Sequence, residues 1–88
     1  LLQEFQKYHA IEETNSQVTD KDSVIERLKK TYQDAQMDEL DGVTFAYPNY
    51  WFNVRPSNTE PVLRLNLEAK TQTMRDEKTA EVLAVIRQ

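Results

Sequence analysis

Tyr50-Trp51-Phe52-Asn53-Val54-Arg55-Pro56-Ser57-Asn58-Thr59-Glu60-Pro61-Val62-Leu63-Arg64-Leu65-Asn66-Leu67-Glu68-Ala69 contains two alternating runs joined by a short polar loop. Successive side chains of a strand point to opposite faces, so Phe52 and Val54 fall on one face and Trp51, Asn53 and Arg55 on the other. Leu63, Leu65, Leu67 and Ala69 alternate with Arg64, Asn66 and Glu68, which predicts a half-buried strand near the middle of a sheet. A sheet that is apolar on one face and polar on the other places its helices on the apolar side.

Before this hairpin, Pro48-Asn49 breaks the chain, and Val43, Phe45 and Tyr47 share one face of an earlier strand. Asp41-Gly42 sits between two extended runs, and Gly42, the only glycine, supplies the positive φ of a tight hairpin turn. Further upstream, Thr19-Asp20-Lys21-Asp22 has the form of a helix start with Thr19 as the cap, and the helix is expected to reach about Tyr32. Val24, Ile25, Leu28 and Tyr32 form its core stripe, while Glu26, Arg27, Lys29 and Lys30 form its solvated side. Residues 8–18 read as a strand with poor alternation. After the hairpin, Thr73-Met74-Arg75-Asp76 resembles a second helix cap, with Ala80, Leu83 and Ile86, flanked by Val82 and Val85, as the apolar side. These elements predict an α+β domain: an antiparallel sheet of about four strands with two helices packed on one face.

At 88 residues the chain fits one domain with a modest core. It opens on Leu1-Leu2-Gln3-Glu4-Phe5, and residues 1–8 are expected to be a linker or the end of an upstream element of a longer protein. A net charge of −4 repels polyanions, and cysteine is absent, so nucleic acid is not an expected partner and no disulfide framework or thiolate metal site is available. No apolar run approaches the roughly 18–20 residues of a membrane span. A membrane is not an expected partner, and a cytoplasmic location is expected.

The loop carries the chemistry. Arg55 offers a planar fork that matches two phosphate oxygens, Ser57 and Thr59 offer hydroxyl donors, and Asn58 offers an amide donor. Pro56 and Pro61 fix their own φ angles, which lowers the entropy lost when the backbone turns toward an anion. There is no glycine-rich cradle and a strand follows instead of a helix, so this is not the phosphate loop of a nucleotide triphosphatase. Glu60 is expected to point away from an anion and to pair with Arg64 or Arg55. On the residues alone, Ser-Asn-Thr between prolines is also an ordinary turn. Two other readings accompany it: a polyanion-binding module that stacks bases on Tyr47, Tyr50 and Trp51, and a structural interaction domain. Asp38-Glu39-Leu40-Asp41 is the nearest acidic group, with spacing unsuited to a metal, and the lone His9 has no assigned role.

The string from Arg55 to Ala69 resembles the C-terminal phosphate-binding signature of the α-D-phosphohexomutases, and most closely their bacterial phosphomannomutase/phosphoglucomutase branch. The resemblance implies a TATA-binding-protein-like last domain of a four-domain enzyme. Such an enzyme moves a phosphoryl group between the C1 and C6 oxygens of a hexose through a phosphoserine and a bisphosphorylated sugar. On that basis Arg55, Ser57, Asn58 and Thr59 would hold the phosphate that is not transferred, with Glu60 and Arg64 in support. The expected partners are a hexose phosphate or bisphosphate and other domains of the same chain. No catalytic residue, metal ligand or cofactor is expected here: the phosphoserine loop, the Mg2+-binding aspartate cluster and the sugar-selecting loop of the family have no counterpart in this sequence. The resemblance also implies closure of this domain about a linker near residues 1–8.

Overall fold

The computed structural model describes residues 9–40, 42–58 and 60–88. The linker expected at 1–8, Asp41 of the turn and Thr59 of the loop lie outside the described residues. The order is β1 (His9–Ala10), β2 (Thr14–Gln17), α1 (Lys21–Thr31), β3 (Gln36–Asp38), β4 (Val43–Ala46), β5 (Tyr50–Pro56), β6 (Val62–Ala69) and α2 (Gln72–Ile86). All strand pairs are antiparallel, in the order β1-β6-β5-β4-β3, with β2 also on β6. The expected α+β architecture is present, with six short strands in place of about four.

One of the extra strands has a local cause. Ala10 pairs with Glu68 and Thr14 with Leu65, so four steps on one strand match three on β6. One additional residue interrupts the ladder between β1 and β2, as in a bulge, although Ile11 N–H still donates to Leu67 O at 3.1 Å. The insertion shifts the side-chain parity, so His9 and Thr14 both stand opposite residues of the buried face. This is why 8–18 shows poor alternation in sequence. His9 is exposed.

One face of the sheet is dry. Phe45, Phe52, Val54, Leu63 and Leu65 have no exposed surface, and the helices cover them with Val24, Leu28, Val82, Val85 and Ile86. Phe45 and Phe52 stack with ring centroids 4.8 Å apart, and Tyr32 meets Phe52 edge-on at 5.0 Å. The Tyr32 hydroxyl leaves this cluster to donate to Glu81 Oε2 at 2.6 Å. Burial, and then this bond to a carboxylate, raises its pKa well above the ordinary tyrosine value. The helices meet where Arg27 Nε donates to Val85 O at 3.1 Å, placing a cation on the carbonyl end of α2.

Both helix starts differ from the expected caps. Asp20 rather than Thr19 caps α1: its carboxylate accepts from Ser23 N–H at 3.2 Å and from the Ser23 hydroxyl at 2.8 Å. Those two bonds, the hydroxyl first, hold its pKa below the ordinary carboxylate value. Asp20 is the better cap because its carboxylate has two acceptor oxygens, one taken by the Ser23 N–H and one by the Ser23 hydroxyl, whereas Thr19 offers a single hydroxyl oxygen. Thr71 rather than Thr73 caps α2, its Oγ1 accepting from Met74 N–H at 3.1 Å. The helix therefore begins almost as soon as β6 ends. Ala80 lies outside the buried side of α2, because it is two residues, about 200° of helix, from Val82.

Candidate functional site

The other face of the sheet bears polar groups. Thr44 on β4, Asn53 and Arg55 on β5, and Arg64 and Asn66 on β6 alternate with the apolar core residues of the same strands, Asn53 being itself buried. Thr44, Trp51, Asn53, Arg55 and Asn66 wall a shallow depression of about 320 Å³, with Asp38 and the 93% exposed Leu40 at its margin. Asn53 Nδ2 donates to Thr44 Oγ1 at 3.0 Å across the β4–β5 ladder.

Arg55 stands directly opposite Arg64 in the β5–β6 register. Directly opposed side chains on one face have Cβ atoms about 4.5–5.5 Å apart, and like charges there disfavour the fold. Arg64 Nε lies 3.8 Å from Glu13 Oε2, and Asn66 Nδ2 donates to Glu13 Oε1 at 3.3 Å. This pairing corrects the expectation that Glu60 would pair with Arg64. Glu60 lies around the hairpin tip, whereas Glu13 arrives on the neighbouring chain segment beside Arg64. The ion pair is solvent-exposed and contributes little to stability.

Beyond Arg55 the strand runs into the tip, 57–61. Ser57 N–H donates to Val62 O at 2.9 Å and closes the hairpin, and Val62 N–H donates to Glu60 O at 2.8 Å. The structure thus brings Arg55, Ser57 and Asn58 to one end of the sheet, with Arg55 and Asn58 exposed and Ser57 buried. The depression beside Arg55 does not reach Ser57 or Asn58. Thr59 lies outside the described residues.

Two neighbours of this tip were not assigned to the site from sequence. Lys21, in the first turn of α1, donates from Nζ to Ser57 O at 2.6 Å and to Glu60 O at 3.3 Å. Gly42 has φ +68°, and a Cβ built there would meet Val54 O at 2.6 Å, Arg55 Cα at 3.1 Å and Arg55 Cβ at 3.2 Å. The glycine was legible as a turn residue, but its second role is to let the β3–β4 turn lie against Arg55. The signal for Lys21 was a cation at the positive end of a helix, where local electrostatics disfavours it.

The remaining candidates divide between the two faces. Tyr50 is buried and Tyr47 stacks on it at 4.8 Å on the helix side, so these two do not form a stacking platform with Trp51, which lies on the open face. In the acidic group, Asp38 Oδ1 accepts from Leu40 N–H at 2.9 Å and Glu39 pairs with Lys29 at 3.0 Å. Among the described residues no group of three or more His, Asp or Glu side chains is gathered to hold a metal. Among them too, no helix is long and apolar enough to cross a membrane.

Comparison with known proteins agrees with this architecture. Residues 13–86 match the family model described as phosphoglucomutase/phosphomannomutase, C-terminal domain. The chain is 44% identical over 86 residues to a phosphomannomutase of Methanocaldococcus jannaschii, an alignment covering 98% of this chain and 19% of the relative. It is 38% identical over 78 residues to a phosphomannomutase of Escherichia coli, covering 85% of this chain and 17% of the relative. A phosphomannomutase/phosphoglucomutase of Pseudomonas syringae is 52% identical over 64 residues, covering 68% and 14% respectively. The chain therefore spans less than a fifth of the length of these relatives. With its antiparallel sheet, two helices on one face and a match over nearly all of its described length, the chain belongs to the family of phosphoglucomutase/phosphomannomutase C-terminal domains.

Proposed function

We propose that this domain anchors the phosphate that is not being transferred on a hexose phosphate, within a phosphohexomutase that exchanges a phosphoryl group between C1 and C6. Arg55, Ser57, Asn58 and Thr59 bind that phosphate, and Arg64 supports the positive charge beside it. The observation that carries the reading is that Arg55, Ser57 and Asn58 come to one end of the sheet, with Arg64 opposite Arg55 in the register. The named activities of the relatives supply the substrate class.

Arg55 presents paired donors and a fixed charge, the hydrogen-bonding groups of the tip add direction, and the closed hairpin reduces the ordering cost. Holding a remote phosphate uses its binding energy to place the reacting oxygen, so the domain positions the substrate and the bond-making groups lie elsewhere in the longer protein. The Mg2+ of the family belongs with those groups, and the active enzyme is cytoplasmic. Closure of this domain over the sugar completes the grip on both ends of the ligand.

Addition of the 88-residue chain should shift the 31P resonance of mannose 6-phosphate with a Kd of about 1 mM. Mannose without phosphate should not compete, and Arg55→Ala should abolish the shift. A shift unchanged by Arg55→Ala would refute the reading.

A further inference from the structure

We infer that Lys21 is a positioning residue for the phosphate loop, a clamp that turns the Ser57–Asn58 peptide group toward an incoming anion; this rests on the anchoring role proposed above. Lys21 lies 36 residues from Ser57 in sequence and is carried by the helix layer, whereas Arg55 projects from the opposite, open face of the sheet. Its ammonium takes the carbonyl oxygens of Ser57 and Glu60, at 2.6 and 3.3 Å, one on each side of the tip.

The consequence follows from peptide geometry. No described peptide bond is cis, and in a planar trans peptide the C=O and the following N–H point in opposite directions. With the Ser57 carbonyl drawn toward Lys21, the Asn58 N–H is directed away from the helix layer, toward the side on which Arg55 stands. The same bonds hold two oxygens, which would repel a phosphate, against a cation. Lys21 thus holds the Ser57 and Glu60 carbonyls on one side and leaves the Asn58 N–H on the other, without touching the ligand itself. The bond to Glu60 O adds to the Val62 N–H already on that oxygen and fixes the far end of the loop.

Lys21→Met keeps the aliphatic stem and removes the charge and donors, while Lys21→Arg restores both. In 31P titrations of the 88-residue chain with mannose 6-phosphate, Lys21→Met should weaken binding about tenfold. Lys21→Arg should recover most of that loss, with urea midpoints close to the unsubstituted chain in both variants. The Asn58 amide resonance should move in ligand-free Lys21→Met. Should that variant fail to fold, Lys21→Gln should show a smaller loss of affinity in the same direction. Equal affinity in a folded Lys21→Met or Lys21→Gln variant overturns the clamp while leaving phosphate anchoring intact. Absence of binding by the unsubstituted chain removes the anchoring role, and the clamp with it.

Discussion

The two faces of the sheet are made by the same strands and obey different rules. Phe52, Val54, Leu63, Leu65 and Leu67 lose essentially all contact with water beneath the helices. Their neighbours one residue away, Asn53, Arg55, Arg64 and Asn66, form a polar surface with two opposed arginines. The buried face is built from packing, whereas the open face carries charged and amide side chains, with Glu13 beside Arg64 and Asn66. Substitutions should therefore separate stability from ligand binding along a single strand.

The sharpest break should come on the buried face. Phe52→Ala removes a ring in contact with Tyr32, Phe45 and Tyr50 and should cost about 3–5 kcal/mol, read as a lower urea midpoint. That is a large share of the roughly 5–15 kcal/mol available to a domain, so partial unfolding at room temperature is the expected appearance. Gly42→Ala should follow at about 2 kcal/mol, from the left-handed backbone and the collision with Val54 O. Because that collision lies beside Arg55, the same variant should also displace the Arg55 amide resonance.

On the open face the effects should reverse. Arg55→Ala should change stability by no more than about 0.5 kcal/mol while costing about 1.5–3 kcal/mol of phosphate affinity. Away from both faces, Thr71→Ala should cost about 1 kcal/mol through loss of the cap on α2 and leave phosphate binding unchanged.

The smallest effect is a pH dependence confined to the buried side. Burial raises the pKa of Tyr50 to about 12, and burial with carboxylate partners raises Tyr32 and Tyr47 further. Above about pH 10 the unfolded chain loses these protons and the folded chain retains them, so stability should fall as pH rises through that range. For Tyr50 the loss should level off near pH 12. Urea midpoints from pH 8 to 11 should decline, and Tyr50→Phe should reduce the decline.

The sequence revealed structure best where one face is dry. The alternation in β5 and β6 and the Val24-Leu28-Tyr32 stripe each repeat a period that burial imposes, and Gly42 marked its turn through the positive φ that glycine allows. The first strand was obscured because one inserted residue reverses its parity between Ala10 and Thr14. Helix starts were displaced by one or two residues because more than one capping side chain stands near each start: Thr19 and Asp20 before α1, Thr71 and Thr73 around the start of α2. Arg55 and its loop neighbours were singled out by residue chemistry and a family resemblance. Lys21 and Glu13 were not, because each reaches the hairpin from a distant part of the chain.

The most direct test is an amide-shift map of the isotope-labelled chain titrated with mannose 6-phosphate. The account predicts saturable changes concentrated at Arg55, Ser57 and Asn58, with the residues of the helix-covered face unmoved. Shifts scattered over the lysines of α1, or no saturation at any site, would contradict it.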